Sequence, residues 1–177
     1  MEAVARDLGC TPQAIGRRFG SKRGLIRAYV AWAMGGIGER FRESRRTHTT
    51  ALEALRARVV IPAEERQEEI GDTHDVARRA NMLSFWIAIR ADAEFRPLLV
   101  SNEREIEAET TNILNDAVAA GELRACDTVT LGRVLIAALT GTTMMWSEDG
   151  ETGESLVDQL GRALEPIVGP YRAGGTV

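Results

Sequence analysis

Five residues, Leu8-Gly9-Cys10-Thr11-Pro12, constrain this chain more than any other stretch. They end one helix and begin another with almost no room between. Gly9 can take the positive φ that closes a helix. Thr11 is a good N-cap, and Pro12 falls at the first helical position, where its missing N–H costs nothing. Upstream, Val4, Ala5 and Leu8 share one apolar face. Downstream, Ile15 and Phe19 lie four apart and face inward, which leaves Gln13, Arg17 and Arg18 outward. Ser21 can cap a third helix that begins Lys22-Arg23-Gly24-Leu25-Ile26 and passes through Tyr29, Val30 and Trp32. Two short helices wedged apart this way have one dominant use, which is to lay the second in the major groove of DNA. The plainer alternative is an αα-hairpin with a solvated arginine face.

Charge separates those readings. The chain carries 22 Lys+Arg against 26 Asp+Glu, a net −4. Residues 1–46 hold ten of the bases and four of the acids, a net +6, so the remainder stands at −10. A basic head on an acidic body is the footprint of a nucleic-acid-binding module attached to something else. Two lone cysteines, Cys10 and Cys126, lack metal or redox spacing and fit a reducing cytoplasm. No basic leader and no apolar run of bilayer length can be read, so no membrane association is expected.

Beyond the head the sequence is helical in period, with almost no strand signal. The helix after Ser21 is expected to run to about Arg46, weakened by Gly35, Gly36 and Gly38. A short helix over 51–60 stops at Pro62, and a charged turn follows over 63–70. Residues 74–91 are apolar nearly all round (Val76, Met82, Leu83, Phe85, Trp86, Ile87, Ile89), which predicts a helix in the middle of a bundle. Pro97 opens a long helix to about Ala120, and two more span 128–147 and 154–171. The expected fold is all-α, with a helix-turn-helix domain and connecting helix over 1–46 and a helical-bundle body for ligand binding and dimerisation over 47–177.

The segment from Val4 to Ile26, with its phrase Phe19-Gly20-Ser21-Lys22-x-x-Leu25, resembles the TetR-type transcriptional regulators, as does the all-helical body with a central Trp86. The resemblance implies a two-fold dimer on a palindromic double-stranded operator, released by a small-molecule effector, and so a repressor rather than an enzyme. It implies a DNA-contacting set of Thr11, Pro12, Gln13, Ala14, Arg17, Arg18, Ser21 and Lys22. The chain departs from the family pattern at Gly16, usually tyrosine, and at Arg18, usually histidine, so arginine must carry more of the affinity. The family also places a helix ahead of the one near Met1, and without it Val4, Leu8, Ile15, Phe19 and Leu25 are expected to be partly uncovered. Ser84-Phe85-Trp86 most resembles the branch with betaine-pathway regulators, for which Phe85 and Trp86 would cage a cation.

In the body, an apolar cavity with a few polar groups is the usual small-molecule site. Met82, Phe85, Trp86, Ile89, Asn112 and Met145 are the candidate ligand-binding residues, with Asn81 and Asn115 as further polar groups facing that core. Leu131, Leu135, Leu139, Met145, Trp146, Leu156, Leu160 and Leu164 make the last two helices the expected dimer face, as an isologous four-helix bundle. No cofactor or metal is expected. His48 and His74 lack ligand-spaced partners, Glu64, Glu65, Glu68 and Glu69 lack an accompanying Glu-x-x-His, and no phosphate loop or triad spacing occurs. The rival reading is an all-helical dimerisation module or enzyme with a vestigial head.

Overall fold

The computed structural model describes residues 1–59, 76–146 and 156–174. Among these every regular segment is helical: α1 (Glu2–Asp7), α2 (Pro12–Phe19), α3 (Lys22–Met34), α4 (Ile37–Thr47), α5 (51–59), α6 (Val76–Ala91), α7 (Arg96–Ala119), α8 (Thr128–Trp146) and α9 (Leu156–Val168). A 3₁₀ turn, Gly169–Tyr171, follows. The expected turn over 63–70 lies outside the described residues.

The long α7 is the mast of the body. Its Ile113, Leu114 and Ala117 are fully buried and meet Phe41 of α4, Leu55 of α5, Leu131 and Leu135 of α8 and Val168 of α9. Val59, Leu156 and Leu160 close a second cluster between α5 and α9. The third cluster, Val30, Ile89, Phe95 and Leu99, draws on α3, α6 and α7 and so fastens the head to the body. After α7, Gly121 at φ +73 turns the chain. There the C-terminal segment pairs back on the α7–α8 turn: the Arg124 N–H donates to the Tyr171 carbonyl at 2.8 Å and the Ala173 N–H to that of Glu122 at 3.0 Å. The Glu122 side chain caps α5, accepting from the Ala51 and Leu52 N–H groups at 2.9 and 3.0 Å.

Three expectations are corrected. The helix expected from Ser21 to Arg46 is two helices, because Gly36 takes φ +73 between Met34 and Ile37. The second of these, α4, packs along α7. Helix α6 is not central: Ile87 is 68% exposed, and the helix lies at the seam between α3 and α7. Its all-round apolarity is a sound sign of helix but a poor sign of depth. Finally, Leu131, Leu135, Leu156 and Leu160 are spent inside one chain, at 6% exposure or less, and offer almost nothing of themselves to a second copy. Leu139 and Leu164 pack half-buried on the same core, while Val129 and Val134 of α8 are exposed. The side chains of Met145 and Trp146 lie outside the described residues.

Candidate nucleic-acid interface

The head is assembled by its caps. Gly9 takes φ +62, and the Cys10 N–H returns to the Ala5 carbonyl at 2.9 Å, closing α1. The Thr11 Oγ1 accepts from the Ala14 N–H at 3.2 Å, with Pro12 in the first turn of α2. Gly20, at φ +75, ends α2, and Ser21 then caps α3 through its Oγ, which accepts from the Gly24 N–H at 3.0 Å. The joint between α2 and α3 is so tight that a Cβ on Gly24 would stand 1.9 Å from the Phe19 carbonyl oxygen. Ala5 and Ile15 are buried at the α1–α2 crossing, so Ile15 is covered, contrary to expectation. Val4 and Leu8 are exposed, Leu8 at 70%, and Phe19 and Leu25 are half-buried.

This crossing turns Thr11, Pro12, Gln13, Ala14, Arg17 and Arg18 outward along one helix, with Ser21 and Lys22 exposed just beyond it. Among the described residues, Arg17, Arg18 and Lys22 pair with no carboxylate. Arg18 lies over the Phe19 ring at 5.6 Å. The arginines of α3 and most of those of α4 are committed, while Arg6 of α1 and Arg40 of α4 pair with no carboxylate among the described residues. Arg23 forks onto Asp92, both bonds 2.9 Å, and also reaches Glu94. Arg27 pairs with Glu94, its Nε donating at 2.8 Å. The hydrogen bonds from Arg27 and then Arg23 hold the Glu94 carboxyl below its ordinary value, and Glu94 in turn raises Arg23. On α4, Arg45 binds Asp116 at 2.6 Å, and Arg42 binds Glu39 at 3.0 Å. The +6 of residues 1–46 is therefore partly cancelled in place, and most of the unspent charge of the head, Arg17, Arg18 and Lys22, lies on α2 and at the start of α3, with Arg6 on α1.

The candidate ligand residues scatter. Phe85 and Ile89 line an open groove of about 360 Å³ at the head–body seam, with Lys22, Arg23, Ile26, Ala88, Asp92 and Phe95. Met82 and Trp86 are half-buried on α6. Phe85 and Trp86 pack edge to face at 5.4 Å, and both meet Tyr29. Asn112 is on the exposed face of α7, not toward the core. Asn81 is exposed as well, and Asn115 accepts from the Thr128 hydroxyl at 2.7 Å. The side chain of Met145 is outside the described residues. A hollow within the body, beside Leu52, Leu164 and Val168, holds about 50 Å³, far below the roughly 300 Å³ of a small-molecule site. No helix among the described residues is long and apolar enough to cross a membrane, and none of their His, Cys, Asp or Glu side chains cluster to hold a metal.

Two solved structures share this arrangement. The TetR-family transcriptional regulator PfmR from Thermus thermophilus superposes with a TM-score of 0.69 at 20% identity, over 94% of this chain and 86% of that one. The fold is the TetR-family fold. The ketosteroid transcriptional regulator KstR2 of Mycobacterium tuberculosis superposes with a TM-score of 0.61 at 17% identity, over 97% of this chain and 83% of that one. No protein-family model and no curated protein matches the sequence. Sequence reasoning missed the clamp of Arg23 and Arg27 on Asp92 and Glu94. Its partners lie about 70 residues apart, and no local pattern links them.

Proposed function

We propose that this chain is a TetR-type transcriptional repressor and not an enzyme. Helix α2 reads the major groove of a palindromic operator, and Arg17, Arg18 and Lys22 bind bases and phosphates. The observation that carries the reading is the sorting of charge: among the described residues these three lack a carboxylate partner, while Arg23 and Arg27 are tied to the body. The other proposed contacts follow from position. Thr11, Pro12, Gln13 and Ala14 form the exposed leading turn of α2, and phosphates favour such a helix start. The similarity to PfmR supports the fold for this role. Two copies pair through the outward faces of α8 and α9, where Val134 is exposed, and place two heads on one site. A small-molecule effector releases the protein, which works in the cytoplasm. Residues 1–34 are the moving head, and α4 travels with the body.

Fluorescence anisotropy with duplex DNA from the chain's own promoter region tests this. Arg17→Ala and Arg18→Ala should each weaken binding by roughly tenfold or more, as loss of a base or phosphate contact worth about 1–3 kcal/mol requires. Unchanged affinity in both variants would refute the assignment of α2.

A further inference from the structure

The groove at the head–body seam has walls and a rim of different chemistry. Ile26, Phe85, Ala88, Ile89 and Phe95 make the walls, and Lys22, Arg23 and Asp92 make the rim. Its volume, about 360 Å³, falls at the low end for small-molecule sites. Three groups around the rim are already satisfied: Arg23 forks onto Asp92, and Glu94 is held by Arg23 and Arg27. Among the described residues the Lys22 ammonium has no partner. It also sits in the first turn of α3, where the helix field favours negative charge. The unspent charge at the mouth of an apolar groove is thus positive, which fits an anion and not a cation.

We infer that this groove takes a small apolar monocarboxylate, its hydrocarbon part against Phe85, Ile89 and Phe95 and its carboxylate on Lys22. The consequence for regulation rests on the DNA-binding reading; the binding itself does not. Lys22 cannot serve an operator phosphate and a ligand carboxylate together. A carboxylate at the rim also competes with Asp92 for Arg23 and so loosens the clamp that orients the head. The two effects act in the same direction, toward release of DNA.

Calorimetric titration of the full chain without DNA tests the site, with octanoate and 4-phenylbutyrate as probes and octylammonium as the charge-reversed control. One site per chain is expected for the carboxylates and none for the amine. Lys22→Gln should weaken octanoate about tenfold, and Ala88→Trp, which fills the groove from an exposed position, should abolish binding. An amine that binds as tightly as octanoate, or an Ala88→Trp variant of unchanged affinity and melting temperature, overturns the inference. Lys22→Gln is a surface change and keeps the test decisive if Ala88→Trp fails to fold: octanoate affinity unchanged in Lys22→Gln also overturns it. A separate arm measures promoter DNA. Octanoate should weaken DNA binding by the wild type but not by Ala88→Trp. Carboxylate binding by a protein that binds no DNA would refute the repressor reading and leave the groove standing.

Discussion

Two glycines meet nominally similar clashes, yet they should respond in opposite ways. A Cβ on Gly24 would stand 1.9 Å from the Phe19 carbonyl oxygen and 3.1 Å from its carbon. Both atoms are backbone, fixed by the turn that joins α2 to α3, so relief requires that the turn open by about 1 Å. Forced overpacking of this kind typically costs about 1–3 kcal/mol, while replacing a helical glycine by alanine recovers up to about 1 kcal/mol. Gly24→Ala should therefore lose about 1–2 kcal/mol, which for a chain of this size lowers the melting temperature by about 2–8 °C. A Cβ on Gly38 would meet the Glu105 side chain at 1.7 Å. That carboxylate is about half exposed and free to swing away, giving up only a 3.6 Å surface ion pair with Arg42, a kind of pair that contributes little. The helix gain offsets that loss, so Gly38→Ala should be neutral within about 0.5 kcal/mol. Scanning calorimetry of the wild type and the two variants checks the pair. Equal losses at both positions, or a more stable Gly24→Ala, would refute the claim that a backbone neighbour decides the cost.

Three further outcomes are expected. Because Arg27 and Arg23 depress the Glu94 carboxyl, its contribution is fully present above the ordinary carboxylate range and is lost as pH falls through the lowered value. Urea midpoints of the wild type and Glu94→Gln should differ by a constant amount above about pH 5 and converge below about pH 4; a gap that widens in acid would contradict the pairing. Glu122→Ala removes the carboxylate that caps two N–H groups of α5, and should cost about 1 kcal/mol by denaturant titration, whereas loss of a mere surface charge would cost nothing measurable. Leu135→Ala, at a fully buried site where α7 and α8 meet, should cost about 2–5 kcal/mol, and a loss under about 1 kcal/mol would show that the core has been misplaced.

Local chemistry made the helices legible. Thr11 and Ser21 cap as their sequence positions promise, and Pro97 falls in the first turn of α7. Periodicity marked α6, α7, α8 and α9 to within a few residues. What it could not give was depth. The apolar residues of α6 look interchangeable in sequence, but Ile89 is 5% exposed and Ile87 is 68% exposed, because only one side of the helix meets α3 and α7. The same limit applies to α8 and α9, where Leu131, Leu135, Leu156 and Leu160 are expected between two chains and are consumed within one. In the candidate interface, a short-range pattern placed Arg17 and Arg18 outward. The roles of Arg23 and Arg27 depended on where Asp92 and Glu94 arrive after a separation of about 70 residues, which only the packing of α6 and α7 decides.

The pairing of head arginines with body carboxylates fixes how many counterions a bound operator would set free. In α1, α2 and α3 only Arg6, Arg17, Arg18 and Lys22 lack a carboxylate among the described residues, although residues 1–46 contain ten basic side chains. Two heads on one site would then neutralise no more than eight phosphates. At about 0.9 ions per phosphate, the logarithm of affinity should fall against the logarithm of salt with a slope no steeper than about −7. The bare count of twenty bases would give a slope near −18. The body's acids thus act as resident counterions to Arg23 and Arg27, holding the places that operator phosphates would otherwise take, so the potassium on those phosphates stays where it is.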